Sequence, residues 1–428
     1  MTGAAVLLLD AAGPESAALA RAAADRGHQV HAATAAADGQ APAPELAGQV
    51  VTDFARPDRA AEEITAYARR RGVGAVLTAN EYLTGLAALV SAELGLPGND
   101  PHLAHAARDK AAMASVLAAA GVRVPYTRLV HDDTELTDAL ADPGVGFPCV
   151  IKPVDGAGSA GVTVVTSPAE AATAAETARM ARGRYGDDAA SILVQAYAAG
   201  DEYSVESVTQ GAVTAHLAVT RKAVTGGARR VETGHSLPVR LPPATETAVH
   251  REVAAAIRAV GIRHGASHTE VVIAPDGRCT VIEIAARLGA GHIGVLLQHA
   301  LGIDVFAALL DVALGRPAAL APTFHGHATV RFVTAPCAGR LTSLIGFPKP
   351  GPGVPFVRWR APIGGPVNAA GVNADRLGAF VVTGPDAAEV EQRADLLARQ
   401  ILVRVAPTPP ALRGPDQLNS ASRSAIAP

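Results

Sequence analysis

Two rhythms of apolar residues alternate along the first hundred positions of this chain. Residues 6–9 form a short unbroken apolar run, the pattern of a parallel strand buried on both faces. A Gly13-Pro14 turn follows, then a helical stretch over 15–26 and a second strand at 29–33. Residues 34–47, rich in Ala, Pro and Gly, read as a loop. Val50 and Val51, then residues 75–78, read as further strands, with a helix over 57–71 between them. Strands separated by helices predict an open α/β sheet. No Gly-x-Gly-x-x-Gly follows the first strand, so nothing supports a dinucleotide site there.

Past residue 100 the rhythm changes. The pattern over 100–121 is helical and closes on Gly121, a C-terminal stop signal. Segments around Val150, Val164 and Val194 are β-like, and 200–225 predicts more strands. A helix over 246–260 leads into a strand at 269–273, a Pro275-Asp276-Gly277 turn and a strand at 280–284, which together predict a hairpin. Apolar helical stretches run on to Leu314, and 327–406 is a last α/β segment with several Gly-Pro breaks. Residues 407–428, rich in Pro and Ser, predict a disordered tail. There is no internal repeat.

Composition narrows the class. A length of 428 residues suggests about three folding units. An apolar share of 49% against 18% charged provides for a large core and excludes wholesale disorder. With 37 Lys+Arg against 40 Asp+Glu the net charge is −3, which gives no footprint for nucleic acid. Cys149, Cys279 and Cys337 lie far apart, so neither a disulfide framework nor a zinc site is expected, and a reducing, cytoplasmic setting fits. The opening MTGAAVLLLD lacks a basic stretch and its apolar run stops at Asp10, unlike a secretion signal. No run approaches the 18 or so apolar residues of a membrane span, so no membrane partner is expected.

Three segments carry candidate chemistry. The first, GFPCVIKPVDGAGSAGVTVV, holds Gly156, Gly158 and Gly161 between two β-like stretches. A strand follows the loop where a dinucleotide fingerprint needs a helix. The segment is therefore a supple hairpin whose amides can fold over phosphates. Lys152, within an apolar run, is expensive to bury unless an anion offsets it, although a solvated lysine on a surface loop fits equally well. The second segment, ILVQAYAAGDEYSVE, ends a buried strand at Gln195, Ala196 and Tyr197. Its backbone could imitate a base pair to adenine, and Glu202 could accept from ribose hydroxyls; alone, an ordinary strand-turn-strand is the better reading. In the third, HTEVVIAPDGRCTVIEIAARLGAGHIG, Glu270 and Glu283 can project to one face of the hairpin. Paired carboxylates suit Mg2+, a hard ion that favours oxygen ligands. An unpaired carboxylate among Val and Ile is costly, which favours a metal role over a cross-strand ion pair with Arg287.

In this order and spacing the three segments resemble the ATP-grasp superfamily of carboxylate-amine ligases, within it the L-amino-acid (dipeptide) ligase branch. The resemblance spans nearly the whole chain. It implies an N-terminal open α/β pre-ATP-grasp domain over 1–100 and an ATP-grasp fold over 101–326. That fold consists of two α+β subdomains clamping ATP, with the lid at 147–220. A C-terminal α/β segment over 327–406 completes the chain. Lys110, in RDKAAM, and Lys152, in VIKP, match the two ATP-contacting lysines. Gly156, Gly158, Ser159 and Gly161 match the phosphate lid, and Gln195, Ala196 and Ala198 the adenine hinge, the two alanines through backbone atoms. Glu202 matches the ribose ligand, Glu270 and Glu283 the Mg2+ ligands, and Arg287 the arginine that stabilises the transferring phosphate and the tetrahedral intermediate. VETGHSLP resembles a segment common in the branch. Ala285 stands where many members carry a metal-ligating Asn, Ala196 where Glu is frequent at the hinge, and Gly291-His292 where Gly-Asp is frequent.

The resemblance implies ATP and two Mg2+ ions, with Mn2+ as an alternative metal. It also implies a small-molecule carboxylate and amine as substrates, an acyl phosphate between them, and permits a homodimer. His235, His268 and His292 are candidates for contact with substrate, each against the blander role of a structural histidine. Other ATP-grasp chemistry is the rival enzyme reading, although no extra Lys/Arg cluster for a phosphate-bearing substrate is evident. A non-catalytic nucleotide-binding subunit is the rival of another class, prompted by Ala285.

Overall fold

A computed structural model describes residues 3–35, 46–181, 191–211, 213–228 and 230–407. Most of the loop expected over 34–47, and all of the tail expected over 407–428 except Pro407, lie outside these residues.

The N-terminal unit begins with β1 (Ala5–Leu9), α1 (Pro14–Ala24), β2 (Gln29–Ala35), β3 (Gly48–Thr52), α2 (Pro57–Arg71), β4 (Val73–Leu77) and α3 (Thr84–Leu94). Its four strands are parallel in the order β3-β2-β1-β4, and every residue of β1 is buried, as an unbroken apolar run requires. Helix α2 starts at Pro57, where a missing N–H costs nothing, and stops at Gly72, whose φ of 63° lets its N–H close on the Ala68 carbonyl.

The helical pattern over 100–121 is broken in the structure. A single 3-10 turn, Ala104–Ala107, precedes α4 (Lys110–Ala119). The Asp109 carboxylate accepts from the N–H groups of Ala111 and Ala112 and so begins a new helix inside an apolar-periodic run. This places Lys110 at the first position of α4, aimed at the cleft.

Next come β5 (Thr127–Val130), α5 (Asp133–Ala141), β6 (Cys149–Pro153), β7 (Thr163–Val165), α6 (Pro168–Met180) and β8 (Ile192–Ala196). They form an antiparallel sheet ordered β5-β8-β6-β7, with the helices packed on its buried side chains. This unit corrects the expected lid span of 147–220. Strand β5 belongs to it because Thr127 pairs with Gln195 in register, whereas residues from Asp201 on pair elsewhere.

The remaining elements are β9 (Asp201–Gln210), β10 (Val213–Val224), β11 (Glu232–Leu237), α7 (Pro243–Ala259), β12 (His264–Ile273), β13 (Cys279–Ala285), α8 (Ile293–Leu301), α9 (Val305–Ala313), β14 (His327–Val333), β15 (Gly339–Ile345), β16 (Phe356–Trp359), β17 (Pro366–Val367), β18 (Gly378–Gly384), α10 (Ala387–Gln400) and β19 (Leu402–Pro407). An eight-stranded sheet runs β13-β12-β9-β10-β11-β14-β18-β16. The stretch from 327 on is thus not a sheet apart: β14, β16 and β18 extend the large sheet, and β17-β15-β19 form a small one. Buried side chains of α8, α9 and the large sheet share one apolar core with β1, α1 and β2. Among the described residues no single helix is long and apolar enough to cross a membrane; α8 and α9, apolar together, bend by 108° and are mostly buried.

Candidate active site

A cavity of about 510 Å³ opens where the three sheets meet. Its floor is the β12–β13 hairpin. The Pro275-Asp276-Gly277 turn closes it, with Gly277 at φ 82° and the Asp276 carboxylate accepting the Arg278 N–H at 3.1 Å. The register then slips: Val271 faces Val281, but Glu270 faces Glu283, so Ile282 is one residue extra. A β-bulge of this kind re-aims side chains. Here it sets the two carboxylates opposite one another on the cavity wall.

Each carboxylate has a cation beside it. Lys110 Nζ lies 3.0 Å from Glu283 and donates to the Gly156 carbonyl at 2.7 Å. Lys222 Nζ, buried on β10, donates to Glu270 and lies 2.8 Å from Glu232. Burial opposes its charge, but Glu232 and Glu270 outweigh it and hold the ammonium well above the usual lysine range. Behind Glu270, His268 Nδ1 lies 3.0 Å from both oxygens of Glu206, a fully buried carboxylate that also accepts from Ser204 Oγ at 2.7 Å. The other ring nitrogen is 3.4 Å from Glu270. Burial works against the imidazolium, yet Glu206 and Glu270 push His268 up to about 9. The ring is therefore a fixed cation at neutral pH.

Lys152 is different. It is 4% exposed on β6, lines the cavity, and among the described residues no carboxylate lies within ion-pair distance. Burial drives its ammonium down to about 8, with Lys110 adding to the fall and Glu283 only partly offsetting it. A buried, uncompensated ammonium facing a cavity is a receptor for an anion.

The loop above it carries Gly156, Gly158 and Ser159 along the cavity, while Gly161, the remaining residue matched to the lid, is not among the lining residues. Gly158, Ser159 and Gly161 have φ of 63°, 63° and 71°, so the chain coils left-handed at three places. At Gly161 a Cβ would also stand 2.6 Å from the Ala181 Cβ, so no other residue fits without a shift. At the opposite wall, Gln195, Ala196, Ala198 and Glu202 line the cavity. The Gln195 amide is spent on Thr127 Oγ1 at 2.8 Å, and the Ala196 N–H donates to the Tyr126 carbonyl at 2.8 Å, so that amide is not open to a ligand. Arg230 donates to Glu202.

Arg287 leaves the floor just after β13 and donates to Glu81 of the N-terminal unit and to its neighbour's carbonyl, Leu288, at 2.9 Å. The expected alternative, an ion pair with Glu270 or Glu283, is not formed. Burial raises the Glu81 carboxyl, but Arg287 and Lys110 outweigh it and bring it down to about 2. Arg108 stacks 4.1 Å over Tyr82 and lies 3.7 Å from Glu81. Arg287 is thus oriented across the boundary between the large sheet and the N-terminal unit.

Two of the three candidate histidines line the cavity. His268 does so as a charge-holding group, and His235 lies 3.5 Å from Glu232 with its ring edge-on to Phe332. Burial is the main cause that lowers His235. His292 departs from expectation. It precedes α8 at φ 68°, is not among the cavity's lining residues, and packs 4.6 Å from Phe356. Burial, and then the positive charge of Arg358, lowers it to about 4, so it is a neutral packing residue.

Sequence reasoning passed over several lining groups: Glu15 and Glu81 from the first unit, Lys222 and Glu232 from the large sheet, and Asn373 and Arg376 from the C-terminal stretch. Glu206, behind them, was also passed over. Lys222 follows another cation, Arg221, and Glu206 stands between Val205 and Ser207, so neither is set in an unbroken apolar run that would mark it as a costly charge. Glu232 lies inside the VETGHSLP segment. For Asn373 no local signal exists.

Comparison with known proteins identifies the domains that frame this cavity. Residues 20–98 match an ATP-grasp N-terminal domain, 145–295 an ATP-grasp domain, and 331–406 the L-amino acid ligase C-terminal domain 2. The chain is 30% identical over 198 residues to a D-alanine–D-alanine ligase of Geobacter sulfurreducens, covering 46% of this chain and 60% of that one. It is 28% identical over 253 residues to dapdiamide A synthase of Enterobacter agglomerans, covering 57% and 58%. The chain thus spans about three fifths of the length of these curated relatives. In fold it is similar to an L-amino acid ligase from Bacillus licheniformis, with a TM-score of 0.80 at 20% identity over 95% of this chain and 100% of that one. It is also similar to a phosphoribosylglycinamide synthetase from Anaerococcus prevotii, with a TM-score of 0.71 at 16% identity over 94% and 100%. Three consecutive domain matches, over 20–98, 145–295 and 331–406, lead to one conclusion: the chain belongs to the ATP-grasp ligases, near the L-amino-acid ligase branch.

Proposed function

We propose that this protein activates a carboxylate, that of an amino acid, as an acyl phosphate and joins it to an amine, releasing ADP and phosphate. The observation that carries the reading is a convergence. Glu270 and Glu283, opposed in register, line the same cavity as Lys110, Lys152, Arg287 and the loop over 156–160.

The donors fit a magnesium nucleotide. Among the described residues no cluster of three or more protein ligands could hold a metal alone. Two carboxylates beside a phosphate site suit an ion that shares phosphate oxygens. Glu270 and Glu283 would hold it, and when bound it supplies neutralisation of the charge on the transferring phosphoryl. Lys152 would take the triphosphate as its missing counter-ion, and Lys110, already tied to Gly156, would draw the loop onto it. The Ala198 backbone, with the Gln195–Ala196 strand end, would receive the adenine, and Glu202, released from Arg230, the ribose.

A carboxylate resists attack by an amine because its charge repels the nucleophile and oxide does not leave. Phosphorylation removes both obstacles. Arg287, held by Glu81, would face the oxyanion that forms as the amine adds; one such donor is typically worth about 2.7–4 kcal/mol. The amide-forming relatives support this chemistry over other uses of the fold.

The test is release of ADP and phosphate by purified protein with Mg-ATP over a panel of amino acid pairs, with product mass measured in parallel. Release with particular pairs, matched by an amide product, is the expected result. Release dependent on bicarbonate would point to carboxylation, and ATP binding without turnover on any pair would make the protein a nucleotide-binding module.

A further inference from the structure

The C-terminal stretch reaches into the cavity at one point. Asn373 lines it, and its backbone N–H donates to the Gly158 carbonyl in the glycine-rich loop at 3.2 Å. The two residues are in ordinary van der Waals reach: a Cβ on Gly158 would stand 3.7 Å from the Asn373 Cβ. The Asn373 carboxamide turns the other way and brackets Glu232. Its oxygen accepts the Glu232 N–H at 3.2 Å, and its nitrogen donates to Glu232 Oε2 at 3.0 Å. Arg376, stacked 3.7 Å over Phe332, donates to the same carboxylate oxygen at 2.7 Å and to the Glu232 carbonyl at 3.1 Å. The turn that presents both residues is fixed by Asp375, whose carboxylate accepts from the N–H groups of Gly371 and Val372 at 2.9 Å each. Glu232 in turn shares Lys222 with Glu270.

A continuous set of hydrogen bonds therefore runs from the tip of the loop, through one asparagine, to a carboxylate one lysine away from Glu270. The loop's root is held separately, by Lys110 on Gly156 and Arg108 on Asp155. Neither of these two root contacts involves Glu232, whereas the tip is linked to it through Asn373.

We propose that Asn373 is a positioning residue that makes closure of the glycine-rich loop tip depend on the placement of Glu232, so that the acyl phosphate meets the amine and not water. The inference rests on the ligase reading above. Attack by the amine forms the C–N bond, expels phosphate and sheds a proton. Attack by water on the same carbon expels the same phosphate but returns the carboxylate. The ratio of phosphate released to amide formed thus reports loop closure directly.

Asn373→Ala keeps the backbone donor to Gly158 but removes both carboxamide bonds to Glu232, leaving that residue to Arg376 and Lys222, and the expected result is a rise in phosphate per amide of about tenfold, the scale of one hydrogen bond to a charged group. Asn373→Asp has the same shape but sets a carboxylate against Glu232 Oε2, and should uncouple at least as much. A residue that merely fills space would leave Asn373→Asp like wild type, and a residue that merely stabilises the fold would lower both products with their ratio unchanged. Either outcome overturns the proposal. Melting curves of both variants identify any loss of folding, and Asn373→Asp remains decisive if Asn373→Ala unfolds. If wild type itself forms no amide with any pair, the ligase reading fails, and the asparagine is not at fault.

Discussion

Lys152→Met should stabilise the empty protein and abolish nucleotide binding, two effects of opposite sign from one residue. The Lys152 ammonium is held at about 8 against an ordinary value of 10.5, chiefly by burial. Between these values the native chain holds fewer protons than the unfolded one, so stability rises with pH across that window; below it the full cost is present. A difference of about 2.5 units corresponds to about 3 kcal/mol that the buried charge costs the empty protein at neutral pH. Methionine removes that cost. A bound triphosphate should instead return the lysine to its charged form, so binding takes up about half a proton near pH 8. Between about pH 7 and about pH 9.5 the affinity of wild type should fall about thirtyfold from this group alone. Titration calorimetry in buffers of different ionisation enthalpy measures the uptake, and denaturant melts at two pH values measure the stability. Equal proton uptake in wild type and a variant that retains some binding, such as Lys152→Gln, would refute the reasoning. So would a Lys152→Met protein less stable than wild type at neutral pH.

Gly161→Ala should cut ATP turnover at least about tenfold with little change in global melting, because a left-handed alanine costs roughly 1–2 kcal/mol and its methyl must displace Ala181 or the loop. Steady-state kinetics beside a thermal melt separates the two. Glu206→Gln should destabilise by about 3–5 kcal/mol, since it leaves the buried His268 cation without its main partner. The double variant with His268→Gln should recover part of that loss, as a double-mutant cycle in urea would show.

Much of the fold was readable because its strands are apolar runs with helices between them. The bounds of α2 and the turn between β12 and β13 follow from Pro57, Gly72 and Pro275-Asp276-Gly277, residues whose backbone preferences leave little choice. What escaped has physical causes too. Asp109 interrupts a helical period without changing its hydrophobicity. The allegiance of β9, β10 and β14 is a matter of which strand edge accepts them, and that is decided by partners far along the chain. In the site, Glu270 and Glu283 were legible as costly charges in apolar strands, but their opposition depends on the bulge at Ile282, which composition does not reveal. His292 looked like a cleft residue from its neighbours, and only the ring of Phe356 shows why it is not one.

The misses and the hits share an electrostatic logic. Glu206, His268, Glu270, Lys222 and Glu232 form an alternating row in which each inner member touches an ion of opposite sign on both sides. Taken singly, each of these charges would be expensive to bury; in a row, the desolvation costs of His268, Glu270 and Lys222 are each offset by two partners. Such an arrangement adds little net stability compared with apolar packing, but it fixes every carboxylate in place. Lys152 stands outside the row and keeps its cost. Among the described residues lining the cavity, the charges of this row are paired while Lys152, facing the glycine-rich loop, has no carboxylate within ion-pair distance, which leaves a site suited to an anion. That asymmetry, more than any one motif, is why the cavity reads as a nucleotide site.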